Sequence, residues 1–177
     1  GILYFGNNLG LLQFDGSSWE IIRMPGGKMV RSLLVTDHDR IYVGSYEEFG
    51  YFEKQEDGRL HYTSLSAGLK DYQMQNDEIW TILEYEDAVI FQSFTSYFTF
   101  CKNRVKGYRC PYTFLFFNNY GNQIYTHTDQ LGFCRLNPFT GKVTPVSGHQ
   151  LRNPVLAVLP YDAVHSLLVT KSDGLYL

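Results

Sequence analysis

Apolar and polar residues alternate along this chain of 177 residues in short runs that repeat. The apolar runs are rich in Val, Ile, Tyr and Phe and are broken by Gly, Asn and Asp, which is typical of β-strands joined by tight turns. Helical repeats would instead need apolar residues at positions i, i+3, i+4 and i+7. One unit, a buried strand followed by a turn and a second strand, occurs five times. Its first strands lie at residues 3–6, 41–44, 89–92, 124–127 and 167–170.

The spacing of this unit predicts the architecture. Equivalent positions recur 35 to 48 residues apart, counted between Gly6, Gly44, Gln92, His127 and Thr170. A period of about 40–50 residues is typical of β-propellers, in which each blade is a four-stranded antiparallel sheet. We therefore predict an all-β fold, a β-propeller sector of three complete blades and two partial ones.

The same period predicts the bounds of the blades. The partial blades cover residues 2–25 and 154–177, and the complete blades cover 30–65, 78–111 and 113–147. The first strand of the fourth blade is expected at 113–118, residues 37–39 are expected to form a turn in the second blade, and 66–77 form the longest connection. A ring normally completes one blade from both termini. The two ends do not add up to one blade, so we expect the rest of the ring outside this sequence, or pairing with another copy as a homodimer.

The candidate binding site lies in the turns between the second and third strands of the blades. These turns mix amides, hydroxyls, carboxylates and aromatic rings, and function concentrates in loops held by a rigid scaffold. Such a mixture suits a polyhydroxylated ligand, which stacks its C–H face on rings and hydrogen-bonds its hydroxyls. Ordinary polar turns are the competing interpretation. The candidate ligand-binding residues are Asn7, Asn8, Tyr46, Glu47, Glu48, Phe49, Ser93, Thr95, Asp129 and Gln130.

The sequence gives little support to catalytic or metal chemistry. Glu47 and Glu48 are adjacent, so on an extended backbone their side chains point to opposite faces, unlike the converging carboxylates of a glycosidase. Trp19 and Trp80 are expected to be packing residues. We predict no catalytic residue, no metal and no cofactor. The histidines lack the spacing of metal ligands and fall at 38, 61, 127, 149 and 165.

Composition narrows the class of protein further. The net charge is −3, which does not indicate binding to nucleic acid. No run of about 18 apolar residues is present, so we expect no membrane contact from this segment. No signal peptide precedes the first strand, which indicates removal or a piece of a longer chain. The cysteines do not form a disulfide framework. Cys101 and Cys110 flank one predicted hairpin and could pair, although free thiols, with Cys134, are the simpler expectation.

Several stretches resemble a known propeller repeat. Residues 30–35, 39–44 and 49–52 together look like the two-component-regulator propeller repeat, and so do residues 8–16 followed by Trp19. A narrower group is suggested by the phrase at 42–51 and by Asn76-Asp-Glu-Ile-Trp80, which are similar to large membrane-spanning bacterial regulators. Such regulators combine an extracytoplasmic propeller, a triple-tyrosine domain, a transmembrane helix and a cytoplasmic histidine kinase or helix-turn-helix module.

The resemblance implies an extracytoplasmic sensor, the periplasmic portion of an inner-membrane protein that responds to carbohydrate and adjusts transcription. The implied partner is a small-molecule or oligosaccharide ligand, and the propeller itself is not catalytic. Two other functions stay open. A protein-interaction propeller is one, although the WD40 signature is missing. A propeller glycosidase or lyase is the other, favoured only by a faint likeness of Asp15-Gly-Ser-Ser-Trp19 to the Asp-box of sialidases.

Overall fold

A computed structural model describes residues 1–36, 40–146, 151 and 153–177 and places most of them in antiparallel strands. The predicted turn at 37–39, with His38, lies outside the described residues, as does His149. The described strands form five sheets, each built from strands that are consecutive in the chain. This arrangement confirms the predicted all-β fold of propeller blades.

The first and fifth sheets have three strands and the other three sheets have four. The first sheet contains β1 (Leu3–Asn7), β2 (Gly10–Phe14) and β3 (Trp19–Ile22). The second contains β4 (Ser32–Val35), β5 (Arg40–Ser45), β6 (Glu48–Lys54) and β7 (Leu60–Ser64). The third contains β8 (Thr81–Tyr85), β9 (Ala88–Gln92), β10 (Ser96–Cys101) and β11 (Arg104–Arg109). The fourth contains β12 (Asn118–Tyr120), β13 (Gln123–Thr128), β14 (Gly132–Leu136) and β15 (Val143–Pro145), and the fifth contains β16 (Val155–Pro160), β17 (Ser166–Thr170) and β18 (Leu175–Tyr176).

The chain divides into two compact units, Gly1–Ile82 and Leu83–Leu177. The first and second sheets lie in the first unit, and the fourth and fifth sheets lie in the second. The third sheet belongs to the second unit except for the start of β8. The described part of the chain has two short 3-10 helices, Pro25–Gly27 and Ser66–Gly68. Neither has the length and apolarity that a membrane-crossing helix needs.

The core of the first unit lies between the first and second sheets. Its most buried strand is β5, in which every residue from Ile41 to Ser45 is buried. A strand covered on both faces needs apolar side chains on both, which explains the unbroken Ile-Tyr-Val run. Each such side chain contributes about 1.5–3 kcal/mol when fully buried. The buried cluster consists of Leu11, Met24, Val30, Ile41, Val43 and Phe52.

The core of the second unit is rich in aromatic residues. Tyr97 is fully buried, stacks on Tyr108 with ring centroids 4.7 Å apart, and donates its hydroxyl to the carbonyl oxygen of Pro138 at 3.2 Å. That hydrogen bond satisfies the polar end of a ring whose body is buried. The cluster is completed by residues from four strands and the segment before β12, namely Tyr85, Ile90, Phe114, Phe117, Ile124 and Leu136.

The expected first strand of the fourth blade, at 113–118, is wrong in its position, because β12 begins only at Asn118. The preceding residues use their backbone groups elsewhere. Phe114 donates its N–H to the carbonyl oxygen of Phe94 at 2.7 Å, and Leu115 donates to that of His127 at 2.8 Å. The apolar composition of this segment could not show whether its backbone pairs with a neighbouring strand or makes these isolated hydrogen bonds, since the same side chains are buried in both cases.

Gly50 in β6 allows an unusually close approach of the neighbouring strand. A Cβ atom at this position would lie 2.1 Å from the carbonyl oxygen of Thr63 and 2.6 Å from the hydroxyl oxygen of Tyr62. Backbone atoms cannot move aside as a flexible side chain can. The glycine in the Phe-Gly-Tyr-Phe phrase therefore allows β7 to lie this close to β6.

We predict that Gly50→Ala destabilises the protein by about 3 kcal/mol, at the upper end of the cost of overpacking. Chemical denaturation followed by circular dichroism measures the change. Gly16→Ala is the matched control, because that turn position has a φ of 101° but nothing within 4 Å of an added Cβ. It should cost only about 1 kcal/mol. Equal losses for the two variants would contradict the proposed contact.

We predict that Ile90→Ala in β9 costs about 2–5 kcal/mol, because this side chain is fully buried and its removal leaves a cavity. Val164→Ala is the control, since Val164 is 83% exposed and its truncation should change the free energy of unfolding by less than about 0.5 kcal/mol. A loss at Ile90 no larger than that at Val164 would show that β9 is not a core strand.

Candidate functional site

The turn between β5 and β6 contains only Tyr46 and Glu47, because Ser45 and Glu48 already pair as strand residues. Glu47 has a φ of 49°, which is uncommon for a residue other than glycine. Tyr46 is 45% exposed. The tight turn therefore holds an exposed aromatic ring at a defined place, at the end of the two central strands of the second sheet.

The end of the longest connection and the residues just after it bind this turn. Glu47 donates its backbone N–H to the carbonyl oxygen of Asp77 at 2.8 Å, and Ile79 donates to that of Ser45 at 3.0 Å. The side chains add two contacts. The hydroxyl of Tyr46 donates to Oδ1 of Asn76, and the N–H of Asn76 donates to Oε1 of Glu47, both at 2.7 Å. The turn and residues 76–79 thus form one ordered surface.

Asp77 orders the end of the connection from the inside. Its side chain is almost fully buried, with 1% exposed. Oδ2 accepts the N–H of Gln75 at 3.0 Å and the hydroxyl of Tyr72 at 3.1 Å. A buried carboxylate needs hydrogen-bond partners. By accepting these two donors, the carboxylate of Asp77 holds the end of the connection in one conformation.

Two basic residues flank the same turn. Lys28 donates Nζ to the carbonyl oxygens of Tyr46 and Glu47, at 3.0 and 3.2 Å. Arg31 forms an ion pair with Glu78 and places its guanidinium 5.3 Å from the centre of the Trp80 ring. This edge of the first unit therefore presents both signs of charge beside aromatic and amide groups.

Asn7 and Asn8 belong to the same edge. The carbonyl oxygen of Asn7 accepts the N–H of Val30 at 3.0 Å, and its Oδ1 accepts the N–H of Leu9 at 2.9 Å. Asn8 is exposed. Because residues 28–30 contact both turns, the structure brings Asn7, Asn8, Tyr46 and Glu47 to one side of the first unit. We call this side the Tyr46 edge.

Glu48 and Phe49 do not lie in an exposed loop, and that part of the prediction is wrong. Both are in β6, and Phe49 is fully buried. Oε1 of Glu48 accepts three hydroxyls, from Tyr62 at 2.8 Å, Ser64 at 2.7 Å and Ser66 at 2.8 Å. Burial, together with the Glu48 charge, raises the pKa of Tyr62. The two residues support the turn from within.

The third sheet offers a smaller set of candidate residues. Ser93 donates its N–H to the carbonyl oxygen of Ser96 at 2.9 Å and is buried, with 3% exposed. Ser93 therefore lies in the predicted turn between β9 and β10, but its side chain is not exposed to a ligand as predicted. Thr95 is exposed, and its carbonyl oxygen accepts the N–H of Cys110 at 3.2 Å. Only Thr95 of this pair has a side chain at the surface.

Asp129 and Gln130 are exposed in the turn after β13. Oδ1 of Asp129 accepts the N–H of Thr113 at 3.0 Å, and Nε2 of Gln130 donates to the carbonyl oxygen of Pro111 at 3.4 Å. Since Cys110 contacts the Thr95 turn, residues 110–113 bring Thr95, Asp129 and Gln130 to one edge of the second unit. In both units, then, a connection between sheets binds the neighbouring turns.

Sequence reasoning missed several polar residues that organise these edges. Gln92 is fully buried and binds the segment before β12 with both ends of its amide. Its Nε2 donates to the carbonyl oxygen of Leu115 at 2.9 Å, and its Oε1 accepts the N–H of Phe117 at 3.0 Å. Nδ1 of His127 accepts the N–H of Val155 at 3.4 Å, and burial lowers the pKa of His127. The sequence contained one signal for these residues. Gln92 and His127 stand at the end of a strand, at the position where the first two repeats have Gly6 and Gly44.

The described residues offer little for bond-making chemistry. Among residues 1–36, 40–146, 151 and 153–177, no group of three or more His, Cys, Asp or Glu side chains could hold a metal ion. Cys101, Cys110 and Cys134 are free thiols, and burial raises the pKa of Cys110 to about 11. A buried thiol of this kind stays protonated at neutral pH and is a poor nucleophile. The edges are suited to reversible contacts through hydrogen bonds and ring faces.

Known proteins resemble this chain in structure. Neither a protein-family model nor a curated protein matches it in sequence. The extracellular domain of BT4673 from B. thetaiotaomicron, designated a one-component system in one structure and a hybrid two-component system in another, superposes on 97% of the chain with a TM-score of 0.67 and 20% identity. The extracellular domain of the hybrid two-component system BT3049 from the same organism covers 98% with a TM-score of 0.64 and 13% identity.

The chain spans only about a quarter of these regulator domains, 24% and 25% of the two chains. Virginiamycin B lyase from Staphylococcus aureus is also similar, with a TM-score of 0.70 and 10% identity over 96% of this chain and 60% of the lyase. At these identities the likeness concerns the fold. The chain therefore shares its blade architecture with the extracellular domains of bacterial regulators and with a lyase.

Proposed function

We propose that this chain is part of the extracytoplasmic ligand-sensing domain of a bacterial signal-transduction regulator, and that the ligand is a carbohydrate. The extracellular domains of BT4673 and BT3049 share its fold over nearly its whole length, which supports a sensing role. The full-length protein would be anchored in the inner membrane, with this portion in the periplasm, and would control transcription through a cytoplasmic module.

The observation that carries the carbohydrate assignment is the composition of the Tyr46 edge. Tyr46 and the Arg31–Trp80 pair supply ring faces, and Asn8 and Glu47 supply amide and carboxylate groups. Sugars are recognised by ring stacking against C–H faces together with hydrogen bonds to hydroxyls. The ordered turn reduces the conformational entropy that binding would otherwise cost.

Signalling would follow from a difference in affinity. A ligand shifts an equilibrium between two receptor arrangements only by binding one of them more tightly, with a coupling typically of about 1–3 kcal/mol. Two copies of the receptor, paired as a homodimer, would provide these two arrangements. The ligand would act by binding the two arrangements with different affinities, and it would not be chemically converted.

A non-catalytic role fits the described residues better than the activity of the lyase, because one fold hosts many functions and the site decides between them. Glu47 and Glu48 contact different partners and do not converge. The other carboxylates of the Tyr46 edge are engaged as well, Asp77 with Tyr72 and Glu78 with Arg31. They hold the surface in place.

We predict that Tyr46→Ala weakens carbohydrate binding about tenfold, since loss of one stacking ring removes about 1–1.5 kcal/mol. Isothermal titration calorimetry against a panel of neutral and uronic-acid oligosaccharides measures the affinity. Tyr46 is preferred to Phe49 for this test, because truncating the fully buried Phe49 would disturb the fold.

Glu56→Ala serves as the control, because Glu56 is exposed between β6 and β7, at the other end of β6. Its affinity should equal that of the unmodified chain. Binding that is the same for the Tyr46 and Glu56 variants would remove the Tyr46 edge from the site. A panel without any binding oligosaccharide would contradict the carbohydrate assignment.

A further inference from the structure

A cavity of about 750 Å³ lies between the first and second sheets, within the first unit. Its apolar walls come from both sheets, with Tyr4 from the first and with Val35, Ile41 and Leu60 from the second. Cavities of about 300–1,000 Å³ with mainly apolar walls and a few polar groups are typical of small-molecule sites. The volume and the lining therefore indicate a site for a small molecule.

This cavity is separate from the Tyr46 edge. Ile41 and Lys54 line it near the start of β5 and at the end of β6, whereas the Tyr46 turn joins the opposite ends of these two strands. Ser45 follows Ile41 by four residues, which is about 13 Å along an extended strand. A molecule in the cavity would therefore leave the surface of the proposed carbohydrate site free.

The first sheet has an amide where the second sheet has an aromatic ring. Strand register pairs Tyr4 with Gln13 in the first sheet and Tyr42 with Tyr51 in the second, in each case two residues before the glycine that marks the repeat. Opposed residues share a face of an antiparallel sheet, and the rings of Tyr42 and Tyr51 have centroids 5.7 Å apart. The side chain of Gln13 is smaller than that of tyrosine, which leaves room beside Tyr4.

The amide of Gln13 is available to a ligand. Gln13 lines the cavity and is half-buried, and its side chain forms no hydrogen bond with any of the described residues. A glutamine amide offers two N–H donors and an acceptor oxygen. A molecule with one hydrogen-bonding group directed at Gln13 would therefore satisfy this amide.

The charged residues of the lining do not call for a charged ligand. Glu53 forms an ion pair with Arg40 at 2.8 Å, and Lys54 is exposed, so its ammonium group can stay in water. A charged ligand would lose its hydration between the apolar walls, which costs free energy. An uncharged molecule is therefore favoured.

We infer that this cavity binds an uncharged small molecule with an aromatic or branched aliphatic body and one hydrogen-bonding group, as in a phenol or an alcohol. The apolar body lies against Tyr4, Ile41 and Leu60, and the polar group contacts the amide of Gln13. Because the walls come from two sheets, the bound molecule contacts both sheets at once. The site is independent of carbohydrate binding.

The site is tested with N-phenyl-1-naphthylamine, an uncharged aromatic probe with one N–H group whose fluorescence rises in apolar surroundings. The probe is titrated into the 177-residue chain and its variants. Gln13→Tyr introduces the ring that the second sheet has at this place, and it should weaken probe binding at least about tenfold because the ring fills the cavity. Gln123→Tyr is the matched control, since Gln123 is an exposed strand residue of the second unit. Equal affinities of the two variants would overturn the inference.

Val35→Asn provides a second variant that leaves the core intact, because Val35 is 50% exposed. A polar group in the apolar wall should weaken probe binding roughly three- to tenfold. Circular dichroism checks that each variant keeps its strands. An unchanged affinity of the folded Val35 variant would contradict the proposed position of the probe.

The opposite face of the first sheet is a competing place for an apolar probe. Trp19 lies on that face, opposite Phe14, whereas Gln13 lies on the face of the cavity. Trp19 stacks on Phe14 with ring centroids 4.5 Å apart but is 58% exposed, so it is not the buried packing residue that the sequence predicted. Trp19→Ser should leave the affinity for the probe unchanged. A loss in this variant would place the probe on the opposite face and overturn the inference.

The charge of the ligand is tested with 8-anilinonaphthalene-1-sulfonate, which adds a sulfonate to the same aromatic framework. We expect it to bind at least about tenfold more weakly than the uncharged probe, because the sulfonate loses hydration between apolar walls. Tighter binding of the sulfonate that Lys54→Gln abolishes would overturn the assignment to an uncharged ligand. Tyr46→Ala should change the affinity for neither probe, which separates the cavity from the carbohydrate site.

Discussion

The structure depends on strands that are buried on both faces. Val43 in β5 and Ile90 in β9 are fully enclosed, and every residue of β9 is buried. A strand of this kind has no solvent side, so a sheet can exist only with apolar surface on each of its faces. The hydrophobic effect, which is proportional to the apolar area removed from water, therefore favours the packing of sheets against one another within each unit. Tight turns and short connections follow, because sheets that must touch leave little room between them.

The edges of the sheets follow from a second constraint, the need of backbone groups for partners. The backbone of a connection between two sheets is no longer paired with a neighbouring strand. In both units, N–H or C=O groups of the connection form hydrogen bonds with the adjacent turn. Glu47 with Asp77 in the first unit, and Asp129 with Thr113 in the second, show the same solution. The candidate site is a by-product of this arrangement. Side chains reach the surface where the backbone is already fixed.

Period and composition were sufficient to predict the blades, because strand alternation and spacing depend on local sequence. Period and composition also predicted the turn at Tyr46, but they extended it to Phe49. An apolar residue that follows two acidic ones gives the same sequence pattern in a loop and at the start of a strand. Its burial is decided by neighbours that a single sequence does not reveal. The same limit explains Gln92, whose amide matters through Leu115 and Phe117. Contacts between residues far apart in the chain were the part that could not be predicted.

The long connection is fixed unevenly along its length. Ser66–Gly68 form a 3-10 helix, and residues 75–79 are bound to the Tyr46 turn, whereas Lys70, Asp71 and Gln73 between them are exposed. The chemistry of these three exposed side chains can thus change without touching a core residue, whereas Tyr72 among them is held by its hydrogen bond to Asp77. If the chain has the proposed sensing role, receptors of this kind would diverge in the molecule they recognise while their blades stay the same. A segment with this freedom, beside a rigid aromatic and polar surface, is where new specificities would arise at the lowest cost to folding.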